Sequence, residues 1–171
     1  HRDLHVRSRR QRQMCIRDSI MTHKFAICLY MPDMPQNVGV IIRTAACLEF
    51  PLHIIKPLSF SMTDKRFKGA VMDYINYCDL TLHNGWEEFM VYCRNGNKRL
   101  ILATTKTQHS FYDYNFICDD IVLFGKETSG VPDTIHKAIK EKITIPMNKK
   151  TRSLNLATSV SIVASRIISQ L

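Results

Sequence analysis

An α/β domain, with a mostly parallel sheet covered by helices on both faces, is the fold class this sequence predicts. Two observations carry that reading. Short apolar runs alternate along the chain with segments patterned for helix. No linker or internal repeat divides the chain, and its 171 residues are about the size of one domain. Apolar residues make up 45% and charged residues 23%, which supports a buried core and excludes a disordered composition.

FAICLY (Phe25–Tyr30) reads as a buried strand that ends in the turn-rich MPDMPQN. VGVIIRTAACLEF then fits a helix beginning near Asn37, whose side chain is a candidate cap. LHIIKP is the second strand, stopped by Pro57. Residues 63–74, TDKRFKGAVMDY, predict a helix capped by Thr63 or Asp64. CDLTLH is the third strand, Trp86–Asn95 a helix ending before Gly96, and residues 99–105 the fourth strand. IVLFG is the fifth strand, and PDTIHKAIKE is a helix with proline in its first turn. KITIPM is the sixth strand. The last helix runs from about Asn155 to Gln170, with Leu156, Val160, Val163, Ile167 and Leu171 in one apolar stripe suited to a core or an interface.

The formal charge of +9 is uneven. Positions 1–20 hold six arginines against two aspartates, leaving +5 for the rest. Residues 1–20 show neither helix nor strand periodicity, lack the apolar run of a signal peptide, and end in a stretch resembling translated adapter sequence. They are expected to be a non-native or disordered leader, with residues 21–171 as a single domain. The remaining basic excess favours an anionic partner such as nucleic acid. Six scattered cysteines form no C-x-x-C pair and no zinc-spaced cluster, so several are expected to act as small hydrophobes. A reducing cytoplasm is the expected setting, and no apolar run approaches membrane-spanning length.

Open α/β sheets bind ligands at the carboxyl ends of their strands. Three loops at such ends stand out: ATTKT, FGKETSG and IPMNKKTRSLN. In FGKETSG, Gly125 and Gly130 bracket Glu127, which is suited to accept from loop amides or from a ligand's hydroxyls. An ordinary turn before a helix start would also explain the stretch. It is not a phosphate loop, and no G-x-G-x-x-G occurs. IPMNKKTRSLN gathers Lys149, Lys150 and Arg152 before Ser153 and Asn155, either of which suits a cap for the last helix. Arg43 sits six residues after Asn37 among apolar neighbours, so it needs a partner if buried, or a phosphate to bind. His53 reads as a strand side chain, and His83 and His109 as loop residues. Asp119–Asp120 and Glu87–Glu88 read as caps, and the methionines as core filler. No Ser/His/Asp set has diagnostic spacing.

Together the stretches resemble the knotted SPOUT (SpoU/TrmH-type) family of S-adenosylmethionine-dependent RNA 2'-O-ribose methyltransferases, over essentially residues 21–171. The resemblance rests on N-x-G-x-x-x-R (Asn37, Gly39, Arg43), F-G-x-E-x-x-G (Phe124, Gly125, Glu127, Gly130), and I-P-M followed by S-L-N-L (Ile145, Met147, Ser153, Leu156). Within the family, the compact TrmL-like subgroup matches best. The resemblance implies a C-terminal trefoil knot, although general topology disfavours knots. It also implies a homodimer, tRNA as partner, and S-adenosyl-L-methionine as donor with S-adenosyl-L-homocysteine as product, without a metal. The implied reaction methylates the ribose 2'-hydroxyl of the wobble cytidine or uridine. Guanosine or another nucleotide in tRNA or rRNA is the alternative acceptor, and a non-catalytic RNA-binding protein the alternative class.

By the same resemblance, Arg43, Asn37, Ser153 and Asn155 serve the transfer. Leu102, Thr104, Gly125, Glu127, Ile145, Met147 and Leu154 hold the donor. Lys65, Arg66, Lys126, Lys149, Lys150 and Arg152 meet RNA. Whether a separate tRNA-binding protein assists is left open. Two departures from the family pattern are Lys126, where proline is frequent, and Ala157, where serine is frequent.

Overall fold

The computed structural model describes residues 25–148 and 150–171. The expected leader, 1–20, and the RNA candidate Lys149 lie outside the described residues. Six strands form one parallel sheet: β1 (Phe25–Tyr30), β2 (Leu52–Ile55), β3 (Leu80–His83), β4 (Arg99–Ala103), β5 (Asp120–Phe124) and β6 (Glu141–Ile143). Their order is β3-β2-β1-β5-β4-β6, and every pairing is parallel. The helices are α1 (Pro35–Leu48), α2 (Lys65–Val71), α3 (Trp86–Asn95), α4 (Asp133–Ala138) and α5 (Leu156–Gln170), with a 3-10 turn at Tyr74–Asn76.

Strand alternation builds two cores, one on each face of the sheet. Phe25, Ile27 and Leu29 of β1 face a core shared with α1, α2 and α5. Ala26, Cys28 and Tyr30 face a second core with Phe89 and Cys93 of α3 and Ile135 of α4. The α5 stripe belongs to the first core: Val160, Val163 and Ile167 are fully buried, whereas Leu171 is exposed. Each buried aliphatic contributes about 1.5–3 kcal/mol of apolar burial, so α5 is held by packing rather than by propensity. Cys28 and Cys93 are buried as expected, and burial raises both thiols, Cys93 to about 11. Met34 and Met72 are exposed rather than core filler.

Several boundaries differ from the sequence expectation. Helix α1 begins at Pro35, not at Asn37. Proline presets the first-turn φ and sacrifices no hydrogen bond there. Asp64, rather than Thr63, caps α2 by accepting from the Arg66 amide, and the helix ends at Val71. Pro132 is the N-cap of α4, just outside its first turn. Strand β4 stops at Ala103, where Thr104 Oγ1 accepts from the Lys106 amide and turns the chain. Strand β6 is only three residues long; Thr144 then bridges Ser110, and Pro146 has no N–H to extend a ladder.

Candidate active site

The strand order reverses between β1 and β5, the switch point where open α/β sheets leave a crevice. A cleft of about 590 Å³ lies there, within the usual range for small-molecule sites. Its walls are the three loops picked out in the sequence. Leu102 and Thr104 come from the end of β4, Gly125, Lys126 and Glu127 from the end of β5, and Ile145 and Met147 from beyond β6. Arg152, Ser153, Leu154 and Asn155 close it before α5, and Asn37 enters from the first turn of α1. Every residue expected to hold the donor lines this cleft. Thr105, Lys106, Ser129, Val131 and His136 line it too. Thr105, Lys106 and Ser129 belong to the ATTKT and FGKETSG loops themselves, and only nearness to those loops in sequence could have flagged Val131 and His136.

One side-chain relay joins the three motifs. Asn37 Nδ2 donates to Glu127 Oε1 at 2.9 Å. Asn155 Nδ2 donates to Asn37 Oδ1 at 2.9 Å. Asn155 Oδ1 in turn accepts from the Ala157 and Thr158 amides, capping α5. Asn155, not Ser153, is therefore the cap. Asn37 does not cap its helix; it is buried and used as the middle link.

Glu127 also takes over the cap that α1 lacks. Met34, the N-cap, has no capping side chain. Glu127 Oε2 accepts from the Asp33 amide at 2.8 Å and Oε1 from the Met34 amide at 3.3 Å. A carboxylate at a helix N-terminus is stabilised by the helix dipole. Both Glu127 oxygens are thus engaged with protein donors, so it holds the loop while still lining the cleft.

The glycines of this loop answer to geometry. Lys126 and Gly130 exchange backbone hydrogen bonds at 3.0 and 2.9 Å, folding the loop onto itself. A Cβ on Gly125 would lie 2.5 Å from the Gly130 carbonyl carbon. Gly130 has φ +69°, where a side chain is strained. The loop is also latched to the turn before α1. Thr128 Oγ1 donates to Asp33 Oδ2 at 2.6 Å, and Lys126 Nζ lies 3.3 Å from Asp33 Oδ1. The Thr128 hydroxyl and then Lys126 hold the Asp33 carboxyl below the usual carboxylate range against a smaller upward push from burial. Lys126, expected as an RNA contact, is paired with Asp33 here and lines the cleft.

Arg43 is absent from the cleft wall. Six residues beyond Asn37, it lies about 9 Å further along α1 and on a different face. It is half-buried, with its guanidinium 4.9 Å from the centroid of the Tyr74 ring. Among the described residues its partner is therefore an aromatic face, not a carboxylate. Lys65 and Arg66 stand on α2 outside the cleft lining, and Arg66 is paired with Asp64 at 2.9 Å. Lys150 and Arg152 are exposed, and Arg152 reaches the cleft rim.

Elsewhere, Asp120 is fully buried and receives Arg99 Nε and Nη2, each at 2.7 Å. It also accepts from the Ile117 amide. It is thus an ion-pair anchor for the chain before β5. His83 ends β3 and is buried, not a loop residue, with its Nε2 3.0 Å from Nδ1 of buried His53. Among the described residues no group of His, Cys, Asp and Glu is arranged to hold a metal ion, and no helix is long and apolar enough to cross a membrane.

A parallel six-stranded sheet flanked by helices, with a cleft at the switch point, matches the architecture of the knotted α/β methylases. The chain belongs to the SpoU rRNA Methylase family, which it matches over residues 24–165. It is 37% identical over 145 residues to the tRNA (cytidine(34)-2'-O)-methyltransferase of Ancylobacter novellus, covering 85% of this chain and 92% of that protein. A solved structure described as "Structural insights into the 2-OH methylation of C/U34 on tRNA" superposes with a TM-score of 0.82 at 36% identity. That match covers 86% of this chain and 96% of the other. The AdoMet-bound rRNA methyltransferase of Sinorhizobium meliloti shares the fold at 19% identity and a TM-score of 0.79, over 86% of this chain and 57% of that one.

Proposed function

We propose that this protein transfers a methyl group from S-adenosyl-L-methionine to the ribose 2'-hydroxyl of the wobble cytidine or uridine of tRNA. The observation that carries the proposal is the relay from Glu127 through Asn37 to Asn155, which locks all three family motifs around one cleft. The relatives named for this reaction cover most of the same chain.

The cleft fits the donor on its own chemistry. Leu102, Ile145, Met147 and Leu154 supply apolar walls for a flat heterocycle and a thioether-like chain. The Gly125–Gly130 turn lets the backbone come close without a side chain intervening. When bound, the donor supplies an electrophilic methyl group. The protein's task is to bring the ribose oxygen into line with that methyl, which removes much of the entropic barrier.

Arg43 is assigned to the acceptor side. A guanidinium offers donors and no acceptor, so Arg43 is not assigned as a literal base. It holds the neighbouring phosphate and stabilises negative charge developing on the 2'-oxygen. Ser153 and Asn155 orient the ribose edge of the cleft, and Lys65, Lys150 and Arg152 add phosphate contacts that weaken with salt. Because Arg43 stands outside the cleft of its own chain, a homodimer that brings a second copy's Arg43 to the cleft is the assembly proposed. Exposed Val40 on α1 offers apolar surface for it. A cytoplasmic location goes with tRNA as the substrate.

The test uses labelled methyl donor, unmodified bacterial tRNA and mapping of the labelled nucleoside. A 2'-O-methylated pyrimidine at the wobble position is the expected product. Methylguanosine elsewhere would move the acceptor to the alternative, and RNA binding without product would make the protein a non-catalytic member of the fold. Mixing Arg43→Ala subunits with subunits disabled in the cleft should restore part of the activity if sites are shared between two copies.

A further inference from the structure

We infer that Tyr74 is a positioning residue for methyl transfer, acting through Arg43; the inference rests on the acceptor role proposed for Arg43. The guanidinium of Arg43 lies 4.9 Å from the Tyr74 ring centroid. Among the described residues no carboxylate forms an ion pair with it. The difference matters chemically. A carboxylate would occupy the in-plane N–H donors and cancel the charge. An aromatic face attracts the cation from above its plane and leaves those N–H groups to a phosphate or a developing oxyanion.

The surrounding chain fixes the ring in place. Gly39 stands one turn before Arg43 on the same face of α1. A Cβ on Gly39 would fall 2.5 Å from Ala70 Cβ, so glycine permits the close approach of α2. After α2, Met72 adopts φ 51° and turns the chain back, and the 3-10 turn Tyr74–Asn76 follows. Val71 is buried in the core and Ile75 packs against it, so Tyr74 is bracketed by two anchors. The spacing from glycine to arginine in the first motif therefore has a physical reason: the glycine admits α2, and the turn after α2 delivers the tyrosine to the arginine.

The experiment compares wild type, Tyr74→Phe and Tyr74→Leu in single-turnover transfer to tRNA, with donor affinity by calorimetry and the Arg43 Nε–H resonance by NMR. The Phe variant keeps the ring and should transfer within about twofold of wild type. The Leu variant should lose roughly 3- to 30-fold in transfer rate, with donor affinity unchanged. The Arg43 resonance should be ring-current shifted in wild type and Phe and move to the free-arginine position in Leu. Wild-type transfer by the Leu variant, or equal loss in Phe and Leu, overturns the inference. Should wild type transfer to no RNA, the reaction assignment fails separately, and an unshifted Arg43 resonance in wild type would then overturn the positioning role.

Discussion

Asn37 Nδ2 and Glu127 Oε1 lie 2.9 Å apart although ninety residues separate them in the chain. This hydrogen bond ties the first turn of α1 to the loop after β5, and the same Asn37 passes the connection on to Asn155. Replacing Glu127 with glutamine removes the charge and one of two acceptor oxygens while three protein donors remain. The expected loss is about 1–3 kcal/mol of stability in urea unfolding, with a parallel fall in donor affinity. A Gln variant as stable as wild type would show that the carboxylate is not the clamp described.

The two loop glycines should respond differently to alanine. At Gly125 the new methyl meets backbone at 2.5 Å, which cannot yield without opening the loop. Gly125→Ala should abolish measurable donor binding in calorimetry. At Gly130 nothing lies within 4 Å of the added methyl, and only the left-handed φ opposes it. Gly130→Ala should lose about 1–2 kcal/mol of stability and retain weakened binding.

Arg43→Ala should leave donor affinity near wild type, because Arg43 does not line its own chain's cleft and is assigned to the acceptor rather than the donor. Transfer to tRNA should fall by roughly 10²–10³-fold, as when a transition-state charge stabiliser is removed. Equal transfer rates in single turnover would end its assignment to the acceptor.

Acid should weaken the fold through the His53–His83 pair. Burial, and secondarily the neighbouring His83, lower His53 to about 4; burial likewise lowers His83. The unfolded chain therefore binds more protons than the fold between pH 6.5, the ordinary histidine value, and about 4. Stability should be full above that window and fall as pH drops through it, by up to about 3 kcal/mol. His53→Phe should flatten this part of the pH-stability curve; a slope unchanged in that variant would place the acid sensitivity elsewhere.

The sequence made most of the architecture legible. β1 alternates Phe25, Ile27 and Leu29 against Ala26, Cys28 and Tyr30, and the two sets fill opposite cores. The three cleft loops were visible because motif residues gathered at strand ends. What stayed hidden depends on partners far along the chain. Asn37 looked like a local cap, since its true partners Glu127 and Asn155 are distant. Lys126 looked free for RNA because Asp33 is remote in sequence. Tyr74 was read only as the end of the TDKRFKGAVMDY segment, since its contact with Arg43 arises only where Gly39 lets α2 pack on α1. His83 was misplaced because a four-residue strand leaves little alternation to read.

Asn155 follows all six strands in the chain, and it completes the relay that begins at Glu127 and passes through Asn37. A ribosome making this protein therefore finishes the sheet before it finishes the site. While α5 is still in the exit tunnel, Asn37 lacks its last partner and the cleft lacks the wall supplied by Leu154 and Leu156. Domains generally fold as units. A chain that stops before Asn155 lacks both the last link of the relay and the α5 side chains of the first core, so it should not compete for the methyl donor.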